Sequence, residues 1–135
     1  MSANKNLVNR LFNNAMNERK FELLNELVHS EYVNHSVPGD VRGPEGLKNI
    51  LGMFVTAFPD MKITVEEVIE EGNKLATYGY WQGTHKGDFQ GISGTGKNVK
   101  VSYIDVWKVK DGKLHENWVQ MDIPGLMQQL GTIKN

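Results

Sequence analysis

The sequence contains no cysteine. That absence excludes disulfides, thiolate nucleophiles, zinc–thiolate sites and iron–sulfur clusters together. Charge of one sign is also missing. The net charge is −1 and lysines and arginines are scattered, so there is no basic stripe to neutralise a phosphate backbone, and no nucleic-acid partner is expected. No apolar run is long enough to span a bilayer, and MSANKNLVNR lacks the apolar centre of a signal peptide. A soluble cytoplasmic protein with no membrane partner is expected. The four histidines, at 29, 35, 85 and 115, show no short ligand spacing, so neither a metal nor a cofactor is expected.

What is present is ordinary globular material: 39% hydrophobic and 23% charged residues in 135 positions. Two cores in so short a chain would each be too small, so one domain over 1–135 is expected. Leu7, Val8, Leu11, Phe12 and Ala15 recur at helical spacing, with Asn4 available as N-cap. Phe21, Leu24, Leu27 and Val28 mark a second helix, and Glu31 to Ser36 reads as extended. Pro38-Gly39-Asp40 forms a turn. Pro44 then opens a third helix through Leu47, Ile50, Leu51, Phe54, Val55 and Phe58 until Pro59 stops it.

From Met61 the period becomes two, and the Glu66-Glu67 doublet suggests a bulge that bends the strand. Strands are predicted near 74–85, 98–109 and 113–122, the last two joined by an Asp111-Gly112 turn, and a short helix from Pro124 ends at Gly131. The order predicts an α+β layer: helices packed on a strongly curved antiparallel sheet, with a pocket between them.

By alternation Val99, Val101, Tyr103, Asp105, Trp107 and Val109 share one strand face. Asp105 is a lone acid in that register. Desolvation there would raise its pKa and suit it to proton transfer, while a structural acid hydrogen-bonded to its neighbours is the alternative. The next strand places Leu114, Glu116, Trp118, Gln120 and Asp122 together, opposite His115, Asn117, Val119 and Met121. Ile104, Val106, Val119 and Met121 would then make an apolar outer face, which predicts a homodimer. Gly91 to Asn98 nearly spells a phosphate loop, but Asn98 replaces the final Ser/Thr and a strand follows, so that reading is rejected.

The segment GTHKGDFQGISGTGK (83–97), Asp111-Gly112-Lys113, Glu116-x-Trp118-x-x-x-Asp122 and the closing Gln129-Leu130-Gly131 resemble the SnoaL-like polyketide cyclases. Tyr32-x-x-His35 and Arg42-Gly43-Pro44-Glu45-Gly46 fit as well. The resemblance implies the cone-shaped fold of the nuclear transport factor 2-like superfamily. It also implies cofactor-free acid/base closure of a ring by an intramolecular aldol step, or a related isomerisation, on a small hydrophobic polyoxygenated molecule. Asp122 is then the acid/base catalyst, His35 a second catalytic group and Asn34 a substrate-orienting amide near the pocket mouth. From strand spacing rather than from the resemblance, Tyr103, Asp105, Glu116 and Trp118 complete the expected substrate-binding set. Asp122 before Ile123-Pro124 equally suits a helix cap. Two relatives fit less well: the superfamily's epoxide hydrolases need an arginine on a sheet strand, whereas Arg10, Arg19 and Arg42 precede the sheet, and its ketosteroid isomerases need a phenol that the first helix lacks. Because one fold hosts many functions, a non-catalytic small-molecule binder is the alternative.

Overall fold

The computed structural model describes residues 2–36 and 41–131; the predicted Pro38-Gly39-Asp40 turn lies outside the described residues. Ser2 caps the first helix by accepting the Lys5 N–H, two residues before the expected Asn4. Helix α1 (Ala3–Asn9) continues as a π-helical stretch, Arg10–Asn17. This wider turn buries Leu11, Phe12, Ala15 and Met16 together. Asn17 fastens its end to the sheet by bonding both backbone groups of Ile63, at 2.7 and 2.8 Å. Arg19, at a φ of 61°, turns its guanidinium onto the carbonyls of Met16, Pro59 and Met61.

A 3₁₀ turn (Phe21–Leu23) leads into α2 (Leu24–Leu27), which runs directly into β1 (Val28–Asn34). Val28, expected on the helix, is thus the first strand residue. After β2 (Val41–Arg42) come α3 (Gly43–Ala57), β3 (Lys62–Glu71), β4 (Lys74–Thr84), β5 (Asn98–Lys110), β6 (Lys113–Met121) and α4 (Ile123–Leu130). The six strands form one curved sheet in the order β2-β1-β6-β5-β4-β3. The pairing is antiparallel except for β1 with β6, which is parallel. The antiparallel sheet expected is present in every other pairing; the parallel pair brings in β1 from the helical half of the chain.

The expected bulge is present: β3 slips against β4 between Val65 and Glu67, which bends the sheet toward the helices. Gly79 makes the bend feasible, since a Cβ there would collide with the Thr64 carbonyl. The β5–β6 turn uses Asp111 and Gly112, both at positive φ, as a type I′ hairpin requires. A second slip, between Lys108 and Val109, leaves His115 as an extra residue on β6. Leu114 therefore faces the core, and past the bulge so do Asn117, Val119 and Met121, while Glu116 and Trp118 turn outward.

Candidate active site

Between the helices and the concave face of the sheet lies a cavity of about 430 Å³. Phe12 and Met16 close it from the π-helical stretch, and Leu47, Leu51 and Phe54 close it from α3. The sheet contributes Trp81, Tyr103, Asp105, Trp107, Asn117 and Val119. Among the described residues that line it there is one acid, Asp105, and no lysine, arginine or histidine.

Asp105 is 3% exposed. Burial raises its carboxyl from 3.8 to about 7, against the opposing pull of the Thr77 hydroxyl and, more weakly, of the Trp107 indole. Thr77 sits directly across the ladder from Asp105 and donates its hydroxyl proton to Oδ1 at 2.5 Å. The Trp107 indole nitrogen is buried and makes no hydrogen bond of normal geometry among the described residues. Tyr103, two residues along β5, reaches Thr77 Oγ1 at 3.5 Å, and desolvation pushes its phenol up to about 12. It is a phenol, and so a proton donor, at any working pH. Tyr32 from β1 is fully buried nearby, and its own pKa is raised first by desolvation and then by Asp105.

Asn34 is buried on the cavity wall. Its Oδ1 accepts the Ser36 N–H at 2.9 Å, so its remaining polar group is the amide nitrogen, a donor that also bears on the Tyr32 phenol. Asn117 is held on both sides: Nδ2 donates to the Val106 carbonyl at 3.1 Å and Oδ1 accepts from Tyr32 at 3.4 Å.

The structure thus brings Asp105, Tyr103 and Asn34 to the pocket, and places the other expected residues elsewhere. Glu116 and Trp118 are not on the pocket face, because the extra His115 reverses the alternation that had grouped them with it. His35 follows them outside: its Nε2 lies 3.0 Å from Glu116 Oε1 and its ring stacks on Trp118 at 4.8 Å. Asp122 is exposed and caps α4, with Oδ1 accepting the Gly125 N–H at 2.9 Å. It does not line the cavity. The same reversal moves Val119 and Met121 from the expected outer face into the pocket wall. The outer face instead exposes Tyr78, Ile104 and Trp118, with Tyr78 paired to Ile104 and Val106 to Trp118 across the ladder.

Thr77 and Asn117 are the site residues that sequence reasoning missed. Asn117 had a readable signal, because Val119 and Met121 continue its face with apolar residues. Thr77 had none, since its partner across the ladder depends on where the irregular 85–97 segment lets β5 begin. His85 in that segment is wholly buried, its Nδ1 accepting the Thr95 N–H at 3.2 Å and its ring 5.3 Å from that of Phe58. It anchors the loop rather than facing the cavity.

The architecture is that of the nuclear transport factor 2-like α+β proteins: helices on a bent sheet, with a pocket opening between the layers. Residues 6–130 match the SnoaL-like polyketide cyclase family, and the chain belongs to that family. It is 31% identical to the aklanonic acid methyl ester cyclase DnrD of Streptomyces peucetius, over 97% of this chain and 92% of that protein. It is 25% identical to the nogalonic acid methyl ester cyclase of Streptomyces nogalater, over 87% of this chain and 90% of that one. Among solved structures, TsrD from Streptomyces laurentii superposes with a TM-score of 0.89 at 27% identity, covering 97% of this chain and 96% of that one. IdmH from Streptomyces antibioticus gives 0.84 at 28% identity, covering 95% and 98%.

Proposed function

We propose that residues 1–135 form one cytoplasmic, cofactor-free cyclase domain in which Asp105 is the acid/base. The observation that carries this reading is a single carboxyl group buried in a largely apolar cavity whose other described polar lining groups are uncharged, with its pKa raised to about 7. A carboxyl near neutrality can take a proton and return it within one turnover. The ionised form removes a proton alpha to a carbonyl, and the resulting carbanion attacks a second carbonyl of the same molecule. The new alkoxide then takes a proton back from Asp105, so no atoms are gained or lost. Tyr103 supplies a phenol hydrogen to the developing oxygen charge, and the Asn34 amide orients a substrate oxygen.

The substrate is hydrophobic, polyoxygenated and neutral. A fixed anion would meet the Asp105 charge with no cation on the cavity wall to offset it. Ester forms of acidic polyketides fit this requirement, and the methyl esters named for the two relatives are the first compounds to test. We further infer a homodimer through the outer sheet face, supported by the exposed Tyr78, Ile104 and Trp118.

The test is conversion of aklanonic acid methyl ester by the purified protein, followed by chromatography. Cyclised product is expected from the wild type and none above background from Asp105→Asn. Product formation that survives Asp105→Asn refutes the assignment. Tight binding of the ester with no conversion assigns the chain to non-catalytic small-molecule binding instead.

A further inference from the structure

Asp105 is not held by packing alone. Its Oδ1 is engaged at 2.5 Å by a hydroxyl from the neighbouring strand. Oδ1 is thereby occupied, which leaves Oδ2 as the oxygen available on the cavity wall that Asp105 lines. Thr77 itself is 1% exposed and lies behind the carboxylate rather than in the cavity wall.

A threonine hydroxyl has one proton to give. Two acceptors compete for it, Asp105 Oδ1 at 2.5 Å and the Tyr103 oxygen at 3.5 Å. The closer and charged acceptor takes the proton. The Tyr103 oxygen then goes without that hydrogen, and the phenol keeps its own hydrogen for a developing oxyanion. Once Asp105 has taken the substrate proton, its charge is gone and its hold on the Thr77 hydrogen weakens. One buried hydroxyl thereby senses the charge of the base and bears on the donor.

We propose that Thr77 is a positioning residue for the reaction: its hydroxyl pins Asp105 Oδ1 and leaves Oδ2 as the proton-accepting atom. The inference rests on Asp105 as the base. The titratable groups around Asp105 are Tyr103 on its own strand and Tyr32 on β1. The residues facing it from β6 are Asn117 and Val119 and those from the π-helical stretch are Phe12 and Met16, none of which titrates. Thr77 is therefore the principal group that favours the ionised carboxylate against burial.

The test is Thr77→Val, which keeps the shape and the strand preference of threonine and removes only the hydroxyl, with Thr77→Ser as the restoring variant. Carboxyl carbon resonances of the free protein, followed by NMR from pH 4 to pH 9, read the Asp105 titration without any substrate. An upward shift of about one pKa unit or more is expected in Thr77→Val, since the charged form loses a charge-assisted hydrogen bond. Thr77→Ser should titrate as the wild type does. In kcat/KM for aklanonic acid methyl ester, Thr77→Val should lose about tenfold below pH 7 and recover most of it by pH 9. An unmoved Asp105 titration, or an equal loss at every pH, overturns the positioning role. If the titration moves but Asp105→Asn leaves turnover intact, the hydrogen bond stands and the assignment of Asp105 as base is what fails.

Discussion

Asp105 and Asp122 belong to one hairpin and its end, the first on β5 and the second just past β6, yet their surroundings share almost nothing. Asp105 is enclosed by Trp107, Tyr103 and Thr77 on the concave face. Asp122 stands exposed at the start of α4 with its carboxylate folded over Gly125. Residue type is identical, so the contrast isolates environment. Burial without a cation raises the first to about 7, into the range where a carboxyl can exchange protons at neutral pH. The second spends its lone pairs on a helix end.

The sharpest way to break this comparison is Asp105→Asn. Loss of the acid/base should lower kcat by about 10²- to 10⁴-fold, measured as cyclised product per unit time. The same substitution should stabilise the fold. The folded pKa of Asp105, about 7, lies above its unfolded value near 3.8, so the native state binds the proton more tightly. Wild-type stability should therefore fall as pH rises from about 4 to about 7 and stay low above that window. Urea melts should show Asp105→Asn gaining on the wild type by up to about 4 kcal/mol at pH 8 and little at pH 4. In turnover, the wild type should lose activity on acidification below about pH 7, as the base becomes protonated.

Asp122→Ala is the matching experiment on the other side. It should cost about 1 kcal/mol of stability through the lost cap and leave kcat within about threefold. Asp122→Asn should restore the stability, because asparagine caps as well as aspartate. A collapse of kcat in Asp122→Asn would reverse the assignments of the two acids.

The difference between the acids was only half legible in the sequence. Asp105 stood out because strict alternation holds along all of β5, and period-two patterns report a face reliably where the strand is regular. Strand boundaries and the bulge at Glu66-Glu67 were readable for the same local reasons. On β6 the identical argument misplaced Glu116 and Trp118, since one inserted residue at His115 exchanges the two faces and leaves no mark in hydrophobicity at that point. The Thr77 contact is a matter of register between strands separated by the 85–97 segment, and parallel pairing of β1 with β6 depends on a connection through α3. Both are tertiary facts that no local pattern encodes.

The outer face offers a smaller effect that keeps the pocket out of play. Ile104→Lys adds a charge to the apolar band formed by Tyr78, Val106 and Trp118. Sedimentation should show the proposed dimer dissociating, with the Asp105 titration unchanged. A monomer in the wild type would refute the dimer directly.

The smallest effect belongs to the pair that the bulge turned outward. His35 Nε2 and Glu116 Oε1 are 3.0 Å apart, and this hydrogen bond is the leading cause that holds the Glu116 carboxyl below its usual value. A depressed carboxyl contributes stability above its unfolded pKa and loses it as pH falls through the folded one. Both side chains are roughly a third exposed, so water screens most of the attraction and Glu116→Gln should cost under about 1 kcal/mol at pH 7. Lowering the pH to 3 should erase even that difference between variant and wild type. Turnover should not change, because neither group borders the cavity; a tenfold fall in kcat would mean that the outer surface of β6 communicates with Asp105 after all.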